Sequence, residues 1–189
     1  MRAAALLAAL VAGLALASCG GGSNVEGTPA RAWAGDVCTA VGTWVQDFQA
    51  RFESLQSSVT PGMQPEDART ILADFYGDLA ARTDELLGDL DAVGQPAVDE
   101  GAAISRDFRA PFESIRPALL DAKADAEQLP VDDQAAFQEA AAELDKSLQQ
   151  AFDDAGEAFD KLDEHQTSEL DEAFDEEAAC KKYEDEFGG

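Results

Sequence analysis

Val37, Val41, Trp44, Phe48, Phe52, Leu55 and Val59 advance in steps of three and four, and this spacing constrains the fold more than any other feature of the chain. Residues so spaced share one edge of an α-helix, whereas a strand would scatter them over both of its faces. The run predicts a first helix of about seven turns, with Trp33 extending its apolar edge at the start and Thr60-Pro61-Gly62 stopping it. Pro65, Glu66 and Asp67 then restart a helix, because proline suits the first turn and acids suit the positive end of the helix dipole. Ala68, Leu72, Phe75, Leu79, Leu86, Leu90 and Val93 line it; Gly94 supplies a left-handed cap, and Pro96 forbids continuation.

A third segment runs from Ala97 to Leu129 with its stripe at Val98, Phe108, Phe112, Ile115, Leu119 and Leu129. Pro111 and Pro117 fall inside it, and each removes a helical hydrogen bond and crowds the preceding turn, so a kink or break is expected around 110–117. Pro130 ends the segment and Asp132 or Asp133 caps the next, whose stripe is Phe137, Ala141, Leu144, Leu148, Phe152, Ala155, Phe159 and Leu162. Ser168 with Asp171 resembles a weakened capping box opening a short last helix, with Leu170, Phe174, Cys180, Tyr183 and Phe187 on its buried side. Short loops make consecutive helices antiparallel, so the expected fold is all-α: an up-and-down bundle of four to five amphipathic helices.

The chain carries 39 acidic against 13 basic side chains, a formal net charge of −26 over 189 residues. Such a charge repels phosphate backbones, which excludes nucleic acid as a partner. Residues 125–189 hold 22 acids and 4 bases, so the C-terminal third is the negative pole.

Arg2, an apolar run from Ala3 to Ala17 and small residues up to Cys19 read as a targeting segment too short to span a bilayer comfortably. Leu16, Ala17, Ser18 and Cys19 resemble a bacterial lipobox. The resemblance implies cleavage after residue 18, lipid on Cys19, and an exported lipoprotein on the outer face of the cell membrane, held by two or more acyl chains. Ala15-Leu16-Ala17 also fits ordinary secretion, but three cysteines leave an odd thiol unless Cys19 is lipidated. Gly20-Gly21-Gly22-Ser23 and the residues to Ala30 form an expected flexible tether of roughly 18 Å reach. The domains expected are thus 1–18 signal peptide, 19–30 lipidated tether and 31–189 acidic bundle.

In an exported protein, Cys38 and Cys180 are expected to pair, with two free thiols as the alternative. The stretch Trp33-Ala-Gly-Asp-Val-Cys38-Thr-Ala-Val-Gly-Thr-Trp44, with Cys180 late in the chain, resembles small lipoproteins and secreted proteins of high-GC actinobacteria. That resemblance implies a helical fold pinned by a terminal cysteine pair and implies no activity.

No catalytic residue stands out. His165 is a lone histidine near a helix end, and among 39 acids no hydrolytic pair is distinguished. Asp89, Asp91, Gly94 and Glu100 fall at positions one, three, six and twelve of a calcium loop, but Val93 and Pro96 occupy positions that count against it. Asp153, Glu157, Asp160 and Glu164 share one side of the fourth helix, as a solvated face or a contact face. Trp33 and Trp44 are read as core in preference to a ligand platform. No cofactor is implied. The leading expectation is a non-enzymatic, membrane-anchored envelope protein whose acidic surface meets a basic protein. The alternatives are a receptor holding a small molecule or cation between helices and, last, a carboxylate-dependent hydrolase.

Overall fold

The periodicity is realised as helix along most of the described residues. A computed structural model describes the backbone of residues 26–60, 62–160 and 167–187 and the side chains of 26–60, 62–158 and 167–182. Among the described residues six helices follow one another: α1 Ala30–Ser58, α2 Pro65–Val93, α3 Gly101–Glu127, α4 Gln134–Asp160, α5 Ser168–Glu176 and α6 Ala178–Phe187. Consecutive long helices pack as antiparallel neighbours, and α5 and α6 both return onto α1. The protein is an all-α bundle.

Local chemistry sets the boundaries. Pro65 opens α2 with Glu66 and Asp67 in its first turn. Gly94 closes it at φ 73° and ψ −145°, a positive-φ conformation open to glycine that is not the left-handed helical cap expected, while its N–H still bonds the Leu90 carbonyl. Asp133 caps α4, its Oδ1 accepting from Ala135 N–H at 2.8 Å.

Four expectations need correction. Pro111 and Pro117 do not break α3, which is helical through both: Pro111 is fully buried where α2 and α4 pack along the helix, while Pro117 sits on its exposed side. That packing offsets the roughly 3 kcal/mol an interior proline costs. The same helix begins at Gly101, since Ala97 is drawn into a pairing with Thr28. The last segment is two helices, divided at Glu177, whose extended backbone (φ −76°, ψ 129°) leaves its carboxylate to accept from the Ala178 N–H. The cap of α5 is Thr167, whose hydroxyl accepts from Leu170 N–H at 3.3 Å, one residue before the Ser168 expected.

Residues 26–30 do not belong to a free tether. Thr28 N–H donates to Gln95 O at 2.8 Å, Ala97 N–H donates to Thr28 O at 2.7 Å, and the Thr28 hydroxyl donates to Val93 O. Gly27 comes so close that a Cβ there would lie 2.6 Å from Gln95 O. Backbone bonds made by Thr28 outweigh a composition that otherwise suits a linker.

Two apolar cores lie end to end along α2 and α3. One joins the early turns of α2 (Tyr76, Leu79), the late turns of α3 (Ile115, Leu119) and α4 (Phe137, Leu144). The other joins the start of α1 (Trp33, Val37), the end of α2 (Leu90), the start of α3 (Phe112) and the final helices (Leu170, Cys180). Trp33 is 1% exposed, stands edge-on to Phe108 and Phe174, and donates its indole N–H to Gly94 O at 2.9 Å. Trp44 stands edge-on to Phe112 and donates to the Thr83 hydroxyl at 3.2 Å. Both tryptophans are structural.

Cys38 and Cys180 form a disulfide across 142 residues, with Cα atoms 5.0 Å apart. Closing so long a loop stabilises the fold by about 5 kcal/mol in the chain-entropy description. Replacing both cysteines by serine should therefore lower the thermal midpoint by roughly 10–20 °C for a chain of this size. Reductant should reproduce that shift in the native protein and leave the double variant untouched; superimposable melts of the two proteins would contradict it.

Candidate functional site

The stripe that predicts α1 is not buried along its whole length. Trp33 and Val37 are sealed, Trp44 and Phe48 are half-covered, and then Phe52 is 48% and Val59 45% exposed. The first half of α1 has α5 and α6 beside it, while its second half packs on α2, where Arg51 pairs with Asp78 at 2.8 Å. On the flank where α4 stands, α1 meets it through the rings of Phe48 and Phe152, 5.8 Å apart. Beyond that ring contact, α4 commits its packed edge to α3.

What remains is a seam between two facing helix edges. Past Phe48, Phe52 on α1 and Val59 at its C-cap stay exposed on that side, while Leu55 turns toward Ile71 and Phe75 of α2; on the antiparallel α4, Gln149 and Asp145 continue from Phe152 in the same direction. Half-buried Leu72, Phe75, Leu148 and Phe152 pack against the core below it. The apolar exposure is contiguous with that core, so it differs from a lone surface residue such as Leu120.

The rim is acidic. Among the described residues, Asp145 and Asp153 have no cation within 4 Å, and Lys146 is drawn to Glu143 at 4.0 Å. Tyr76 registers the field of Asp145: burial first, and then that carboxylate, raise the phenol above its ordinary value of 10.0. Asp145 thus stands close enough to the core to act on a group within it.

Other expected positions are not brought together. Asp89 and Asp91 lie within α2, Asp91 pairing with Arg109, and Glu100 precedes α3 at φ 61°. Two residues apart on one helix, the aspartates diverge, so the calcium-loop spacing never becomes a loop. No metal-binding group of three or more His, Cys, Asp or Glu occurs among the described residues. Asp153 and Glu157 are exposed on one side of α4 without an ion-pair partner among those residues. The side chain of Asp160, and Glu164, His165 and Cys19 altogether, lie outside the described residues. No described helix is long and apolar enough to cross a membrane.

The seam was missed from sequence because its residues continue a core stripe; only the placement of α4 and α5 distinguishes the covered half from the open one.

Folding holds the Tyr76 phenol neutral to higher pH, so stability from this group is complete below the unfolded value and is lost as pH rises through the folded one. Asp145→Asn should lower the alkaline absorbance titration of Tyr76 toward 10, and Tyr76→Phe should flatten that part of the stability profile. An unmoved titration in the Asn variant would remove Asp145 from the seam.

Comparison of the chain with family models, with curated proteins and with solved structures finds no match, so what it does must be argued from its own residues.

Proposed function

We propose that this chain is the precursor of a membrane-anchored cell-envelope lipoprotein, non-enzymatic, whose acidic helical surface binds a basic protein partner. The observation that carries the anchoring is the Cys38–Cys180 disulfide. It consumes two of three cysteines and leaves Cys19, the residue that resembles a lipobox cysteine, as the odd one. An unpaired thiol is a liability in an oxidising compartment, and lipidation removes it.

Binding is supported by the imbalance of charge. Arg31, Arg51, Arg82, Arg109 and Arg116 each already hold a carboxylate, yet the acids of α4 and α5 far outnumber the cations near them. A surface with that field attracts cationic proteins and speeds their encounter, and salt weakens the attraction.

The tied segment 26–30 bears on the geometry. Six residues separate Cys19 from Glu26, at most about 25 Å of fully extended chain. The Thr28 end of the domain is then tethered close to the bilayer. Phe52 lies 22 residues beyond Ala30 on α1, about 33 Å along the axis. The seam therefore belongs to the end of the domain away from the anchor.

Mass analysis of the mature protein from a membrane fraction should find residues 1–18 gone and acyl chains on Cys19. A soluble mature form that begins at unmodified Ser18 would overturn the anchor and return the protein to plain secretion.

A further inference from the structure

We propose that the open α1–α4 seam is a docking groove for an amphipathic α-helix of about three turns, contributed by a partner protein and carrying Lys or Arg beside its apolar stripe; the proposal rests on the interaction reading above. The fold itself argues for a helical occupant. On the same flank of α1, closer to Ala30, the chain seats its own helices α5 and α6, with Leu170, Ala173 and Cys180 buried among α1 residues. Past Phe48 that seat continues without a helix in it among the described residues, and the edge it would cover, Phe52 on α1 and Val59 at its C-cap, stays exposed. From Phe48 to Val59 is 11 residues, roughly 17 Å of helix axis, which sets the length of the complementary segment.

Charge selects among occupants. A second copy of this chain brings a formal −26 against −26, and its seam would set Asp145 and Asp153 against the same residues. An anionic bilayer is repelled by the same field. A helix with a Leu or Phe stripe flanked by Lys or Arg fills the apolar groove and neutralises Asp145 and Asp153 along its rim. Apolar anchors supply most of such binding energy, and the rim charges supply orientation and rate.

The test uses the chain from Cys19 onward, without its lipid, and three synthetic 14-residue peptides: a Leu/Lys amphipathic helix, the same composition scrambled, and a Leu/Glu counterpart. Affinity is read by the fluorescence of a dye on the peptide, at low and high salt. The Leu/Lys helix should bind in preference to both others. Phe52→Asp and Val59→Asp should each weaken that binding by about tenfold or more, although each adds negative charge and would strengthen a purely electrostatic attraction. Both positions are half-exposed, so the melting curves of the variants should match the parent. Equal binding by the scrambled peptide, or undiminished binding to both variants, overturns the groove while leaving the acidic-surface reading intact. Failure of every cationic peptide to bind overturns both. A dimer in sedimentation that either Asp substitution dissolves would assign the seam to a second copy and overturn the proposal.

Discussion

The first two turns of α1 are the surface on which α2, α3, α5 and α6 converge at one end of the protein. Trp33 is there, sealed between Phe108 of α3 and Phe174 of α5, with its indole N–H bonded to the Gly94 carbonyl where α2 ends. Four separate pieces of chain meet at one side chain. Truncating such a residue costs 3–5 kcal/mol in a typical core, and here the void would open between all four at once. Cys38, one turn on, adds a covalent bond to α6. The tied Thr28 and the loop after α2 depend on the same place, since Trp33 and Ser105 both donate to Gly94 O.

That convergence accounts for the division into two cores. α5 and α6 are 9 and 10 residues long and cover only the beginning of α1, while α4 spends its apolar edge on α3. A 29-residue helix such as α1 thus has more edge than the described helices cover. The seam follows from element lengths, whatever occupies it.

Much of this was legible in the residues. The three-and-four spacing of α1, α2 and α4, Pro65, Asp133 and the cysteine pair each carry a local or chemical signal, and each is realised. What was not legible depends on packing at a distance. Pro111 reads as a breaker until its burial between neighbours is known. Thr28 reads as linker until Gln95 and Ala97 offer their backbone groups. Phe52 reads as core for the same reason that Phe48 does, and only one of the two has an aromatic partner on α4. A stripe specifies which edge of a helix is apolar; it does not specify how far along that edge a neighbour extends.

Charge gives the staple a second purpose. Ser168–Phe187 carries nine acids and two lysines, and it must dock onto a domain that is itself acidic. The cation that meets it, Arg31, bonds the carboxylates of Glu176 and Glu177 and the Glu176 carbonyl from an exposed position. Exposed pairs contribute little once solvent and salt screen them. Among the described side chains, the apolar contacts of Leu170, Ala173 and Phe174 must therefore hold α5 against that repulsion. A covalent bond is indifferent to ionic strength and pH in a way that Arg31 is not. By fixing α6 at Cys38, it lets the chain keep a concentrated negative pole on a small domain without that pole lifting away from the core that Trp33 organises.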